Sequence, residues 1–315
     1  MRVEGRFATF RPPPGARALI GDFTDWKRRP IPLRGPLRRE FPPDAYVEYA
    51  FLDAEGRPFA DPEAPRLAEN PWWSYARAFT TGDWRYRAPP LAPVPKERLR
   101  RERVFSEPFF AERRVLVYRP PAPARAVLLV QDGVAFFRIG RMAEVAEALI
   151  QAGTIHPVGI VFLEPEDRDR EYRMDPRYRA FVLEEAAPRF AGGLPFGLWG
   201  ASLGGLAALW LWNEAPAVAF AMAHSPALRA VPGGQDAYAE PEWLTERVER
   251  REGRVYLEAG VLEWLLGPTR RLAARLAELG VAHAYRERPS GHNWVTWRQG
   301  IAPGLRYLLG RDLPF

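Results

Sequence analysis

The chain contains no cysteine. That removes disulfides, thiolate metal sites and cysteine nucleophiles from consideration, and leaves thiol usage silent about the redox compartment. Lysine is almost as scarce: Lys27 and Lys96 are the two lysines among 45 basic residues. There are only four histidines, so any general base of that type is drawn from His156, His224, His283 or His292. Long apolar runs are missing as well. The opening MRVEGRFATF lacks the apolar stretch of a signal peptide, and no uninterrupted run is long enough to span a bilayer, so a cytoplasmic chain without membrane contact is expected.

What is present is 315 residues with 47% hydrophobic content, enough for a packed core in one large domain or two smaller ones. The net charge of +6 is carried by arginine. In EPEDRDREYRMDPRYR the arginines alternate with acids instead of forming a one-sign stripe, which argues against a nucleic-acid partner.

Two textures divide the chain. Through about Pro90, short apolar runs such as ARALIG and AYVEYAFL are separated by Pro, Gly and Asp, the pattern of a small antiparallel β domain. APPLAPVPKERLRRERV reads as a linker. Beyond it, apolar strands alternate with helical segments: RRVLVYRP, RAVLLVQDG, VGIVFLEP, FGLWGAS, VAFAMAHS, RVYLEAG and AHAYRERP as strands, with MAEVAEALIQAG, DPRYRAFVLEEAAPRF, LGGLAALWLWNE and PTRRLAARLAELG among the helices. Strands that apolar in a βαβ progression predict a mostly parallel sheet covered on both faces. The expected division is a β domain over 1–95 and an α/β domain over 96–315.

Within FGLWGASLGGLAALWLW, the stretch Gly200-Ala201-Ser202-Leu203-Gly204 places G-x-S-x-G between a strand and a helix. There the serine occupies a sharp turn that lifts its hydroxyl above the sheet edge, and the flanking positions must be small. Ser202 is therefore the candidate nucleophile, and the amide of Leu203 at the helix start a candidate oxyanion donor. A second donor is expected after VLLVQDG, from the amide of Gly133 or Val134. His292, in RPSGHNWVTW after the last strand, suits the Ser–acid–His order of such hydrolases. His224, at a strand end, is a candidate substrate neighbour. For the acid, Glu263 beyond the strand RVYLEAG is preferred, with Glu258 inside it as the alternative and Asp236 a third choice. Arg168, Arg170 and Arg173 follow a strand on the rim where substrates bind, and either pair with an anionic substrate or with the acids around them.

From about residue 100 to the end, GASLGG, FVLEEAAPRF, YLEAGVLE and GHNWVTWRQGIAPGLRYL resemble the esterase family that contains enterochelin (siderophore) esterases and feruloyl or acetylxylan esterases. That resemblance implies an α/β-hydrolase fold, a triad of Ser202, Glu263 in Gly260-Val-Leu-Glu263, and His292, and an acyl-enzyme route needing no metal or organic cofactor. Its R-x-R-E-Y-like segment falls on Arg168 to Tyr172 and its D-G turn on Asp132-Gly133. One segment departs: where the family often carries S-x-S-x-x-W-W, this chain has AMAHSPALRAVPGG, without tryptophan. LIGDFTDWKRRPIPL and YVEYAFLDAEGRPFADPEAP look like the early-set immunoglobulin-like domain in front of glycogen branching enzymes, classed with glycogen-binding modules. Trp26, Trp72 and Trp73 are read there as packing in preference to sugar-stacking platforms. The partner implied is a small ester, an anionic siderophore or alternatively a sugar-linked feruloyl or acetyl ester; a non-catalytic glucan-binding module is the rival from another class.

Overall fold

In the computed structural model, residues 1–234 and 242–313 are described. They form two compact units. One comprises Met1–Ala88 with Ala259–Leu266 and Glu287–Thr296; the other comprises Pro89–Glu258, Gly267–Arg286 and Trp297–Phe315.

The first unit is all-β over its N-terminal part. Arg2–Glu4, Phe7–Phe10 and Leu37–Glu40 make one antiparallel sheet, while Ala18–Gly21, Tyr46–Leu52 and Arg77–Thr80 form the centre of another. Their inward residues meet in an aromatic core, where Phe10, Phe41, Tyr49 and Phe79 contact one another edge to face. Trp26 is buried and packs on Trp73, as the packing reading expects, whereas Trp72 is 56% exposed.

In the second unit the chain runs into an eight-stranded sheet. Its strands are β1 (Leu99–Ser106), β2 (Ala111–Tyr118), β3 (Ala126–Val130), β4 (Val158–Leu163), β5 (Phe196–Ala201), β6 (Val218–His224), β7 (Arg254–Gly260) and β8 (Ala282–Arg288), in the spatial order β1-β2-β4-β3-β5-β6-β7-β8. β4–β3, β3–β5, β5–β6 and β6–β7 pair in parallel, while β1 pairs antiparallel with β2 and β2 antiparallel with β4. The reason is legible locally. β3 is buried at every residue, and the helix Leu203–Glu214 beside β5 is apolar on all sides, as elements covered on both faces must be.

Two local expectations need revision. Leu99–Ser106 is a strand and not a linker: its arginines point outward from an edge position, and only Val104 and Ser106 are buried, so the apolar signal of a strand is absent. The helix expected over DPRYRAFVLEEAAPRF contains a π turn at Phe181–Ala186, followed by Pro188, which has no amide to donate to the residue four positions earlier.

Candidate active site

Ser202 stands where β5 ends and the helix Leu203–Glu214 begins. Its backbone is at φ 56° and ψ −123°, a conformation non-glycine residues rarely adopt. Neighbours hold it there: the Ser202 amide donates to the carbonyl of His224 (2.9 Å), and the Ser202 carbonyl accepts from Ala227 (3.0 Å). The turn closes only because Gly200 is bare, since a Cβ there would run into the Gly204 carbonyl. Ser202 remains partly exposed. As the first residue of a helix, Leu203 has an amide with no intrahelical acceptor, beside the serine.

Facing the same end of the sheet, Asp132 adopts a left-handed turn after β3 and its carboxylate takes a two-pronged bond from Arg168 (2.8 and 2.9 Å). Gly133 starts a short helix. The amide of Val134 does not serve an oxyanion: it donates to Glu164 Oε2 (2.9 Å), because Glu164 leaves the neighbouring parallel strand β4 at the right height to cap that helix. Burial raises the Glu164 carboxyl above its ordinary pKa, with Asp132 adding to the rise.

Arg168 pairs with Asp132 and Arg170 with Asp175, whereas the acids expected to take them are Glu164, Glu166, Asp167 and Asp169. Burial on its own lowers the Arg168 pKa, and Asp132 outweighs it, so the net shift is upward. Arg170 lies 3.5 Å from Asp175, and Arg173 is buried. His224 is not a substrate neighbour either. It is wholly buried, its Nε2 accepts from the Trp199 indole (3.0 Å), and its Nδ1 lies 2.6 Å from Glu258 Oε1. Indole can only donate, so Nε2 carries no proton and Nδ1–H donates to Glu258. The strand-end position predicted exposure; adjacent parallel strands β6 and β7 instead aim both side chains inward, His224 opposite Glu258.

The compact unit containing Ala259–Leu266 and Glu287–Thr296 pairs the remaining two candidates. Glu263 Oε2 lies 2.5 Å from His292 Nδ1, and its Oε1 accepts the Gly260 amide (2.6 Å). Glu263 is buried, His292 is 14% exposed, and the Trp264 ring lies over the imidazole at 4.8 Å. With Glu263 accepting from two donors, Nδ1 carries the proton and Nε2 is left with its lone pair. Asp236 lies outside the described residues. Sequence reasoning missed Asp22 and Asn293, whose side chains bond each other beside His292, because nothing local in GDFTDW or GHNW marks a partner so distant in sequence.

Ser202 thus occupies a sharp strand-to-helix turn on an α/β sheet, a local form found in many hydrolases. The family model described as Putative esterase matches residues 106–308, and the chain belongs to that family: it is an esterase. No curated protein matches the chain. Among solved structures, the enterobactin esterase of Shigella flexneri crystallised in the presence of enterobactin is similar at a TM-score of 0.72 and 20% identity, over 96% of this chain and 92% of that one. The ferric enterobactin esterase of Salmonella typhimurium gives 0.71 and 17% over the same shares. A ferulic acid esterase gives 0.56 and 16%, over 67% of this chain and 97% of its own. Among the described residues no helix is long and apolar enough to cross a membrane.

Proposed function

We propose that the chain is a serine esterase in which Ser202 attacks the ester carbonyl, His292 Nε2 takes the hydroxyl proton and returns it to the leaving alcohol, and Glu263 holds the imidazole and balances its charge. The amides of Leu203 and Gly133 receive the tetrahedral oxyanion. Water then repeats the sequence on the acyl enzyme, releasing the acid. The observation that carries this reading is the Glu263–His292 pair, whose second bond from Gly260 leaves His292 only one useful tautomer. In chain order, serine, acid and histidine follow β5, β7 and β8.

The proposed substrate is a siderophore-type ester, with residues 1–95 as a β region and 96–315 as the esterase region, acting in the cytoplasm. Support comes from the likeness to enterobactin esterases, which extends over the N-terminal part as well. A second reading, a feruloyl or sugar-linked ester, draws support from Arg168, Arg170 and Arg173, whose charge is committed or buried within the protein. The test is a fluorophosphonate probe followed by hydrolysis of siderophore, feruloyl, acetyl and p-nitrophenyl esters. Labelling at Ser202 that disappears in Ser202→Ala is expected; equal labelling of both proteins removes the serine mechanism.

A further inference from the structure

His292 sits between two residues that are gripped by one side chain far away in sequence. Asp22, fully buried, accepts through Oδ2 from the Asn293 side-chain amide (3.0 Å) and from the Glu48 backbone amide (2.8 Å). On the other side of His292, Gly291 lies so close that a side chain there would run into Cβ and Cγ of Asp22. Asn293 in turn donates to Ser290 Oγ (3.0 Å) and accepts the Thr296 amide (3.0 Å) in the first turn of the C-terminal helix Trp294–Leu309, while Thr296 Oγ1 donates to the Gly291 carbonyl (2.9 Å). Residues 290, 291, 293 and 296 are thus tied to one another, and the tie ends on Asp22.

Asp22 is itself immobilised. It follows Gly21, whose amide donates to Thr24 Oγ1 (2.9 Å), and the Thr24 hydroxyl lies within bonding reach of the Gly21 and Trp26 carbonyls. A buried carboxyl is costly, and here a second one, Glu48, is buried beside it. Burial and the Glu48 charge hold the Asp22 pKa well above the usual carboxylate range. An apolar residue would pack at lower cost, but it could not accept the Asn293 donor.

We propose that Asp22 is a positioning residue for His292, fixing the Gly291–Asn293 turn so that the imidazole keeps its alignment with Glu263. The proposal rests on His292 being the general base. Displacing a reacting group by about 1 Å costs on the order of 100-fold in rate, so the loss should fall on kcat.

The experiment compares Asp22→Ala, Asp22→Asn, Asn293→Asp and His292→Ala on a p-nitrophenyl ester, with kcat, KM and melting temperature for each. Asp22→Ala is expected to lower kcat about 10- to 100-fold with KM within about twofold. Asp22→Asn, which keeps an oxygen for Asn293, should recover most of that loss. Asn293→Asp preserves the oxygen that caps the helix but replaces the donor with an acceptor, and should lose as much as Asp22→Ala; it carries the test if Asp22→Ala does not fold. Folded Asp22→Ala or Asn293→Asp with wild-type kcat overturns the proposal, as does an Asp22→Asn no better than Asp22→Ala. Full activity in His292→Ala overturns the base assignment, and the positioning role falls with it. Loss in His292→Ala with none in the Asp22 and Asn293 variants sinks the positioning role alone.

Discussion

Glu263→Gln is the substitution from which the most follows. Two donors face the Glu263 carboxylate, the Gly260 amide at 2.6 Å and His292 Nδ1–H at 2.5 Å. Glutamine offers one acceptor and one donor. The Gly260 amide cannot change what it offers, so the glutamine oxygen turns toward it and the NH2 group faces His292. Nδ1 must then accept, the proton moves to Nε2, and the imidazole can no longer take the serine proton. In a serine protease the equivalent change costs about 10⁴ in turnover, which corresponds to roughly 5.5 kcal/mol of transition-state stabilisation. For this chain kcat on an unactivated ester should fall by about that much, and by less on a p-nitrophenyl ester, whose leaving group needs no protonation. KM should hardly change. Full activity in a folded Glu263→Gln enzyme would falsify the tautomer argument and move the acid elsewhere.

Three other outcomes are expected. Glu258→Ala strips the wholly buried His224 of its acceptor and should destabilise the fold by about 3 kcal/mol in urea unfolding, while kcat of the folded fraction stays within a few-fold; a collapse of kcat at unchanged stability would contradict the structural role given to that pair. Burial raises the Glu48 carboxyl from 4.5 to about 7. Between those values the unfolded chain ionises Glu48 and the folded chain does not, so the contribution of Glu48 to stability is most favourable below about pH 4.5 and declines as pH rises toward 7. Melting temperatures at pH 5 and pH 8 should therefore differ less in Glu48→Gln than in wild type; an unchanged difference refutes this. Finally, a fragment over 96–315 should lose kcat even on small esters, because 259–266 and 287–296 cluster with the N-terminal strands; wild-type kcat from that fragment would show that the His292 turn needs no such support.

Legibility in the sequence tracked how local each feature is. The elbow is written in five consecutive residues, and the strand Phe196–Ala201 and helix Leu203–Glu214 fall where FGLWGAS and LGGLAALWLWNE predict. Glu263 and His292 were reached through strand order, and the structure brings them together. His224 and Val134 were misread for one reason: whether a polar group faces a site or a neighbour depends on the adjacent strand, which is distant in sequence. For His224 that neighbour is Glu258 on β7; for Val134 it is Glu164 beyond β4. β1 was invisible because an edge strand needs few apolar residues.

The Asp22–Asn293 bond joins residues 271 positions apart. Contacts this remote form late, since the loop they close must first lose its freedom. During synthesis Asp22 is made 271 positions before Asn293, so its carboxylate waits through all of that length for the Asn293 donor. On the roles proposed for Ser202 and His292, a message cut short between them yields a chain that keeps its serine and lacks its base.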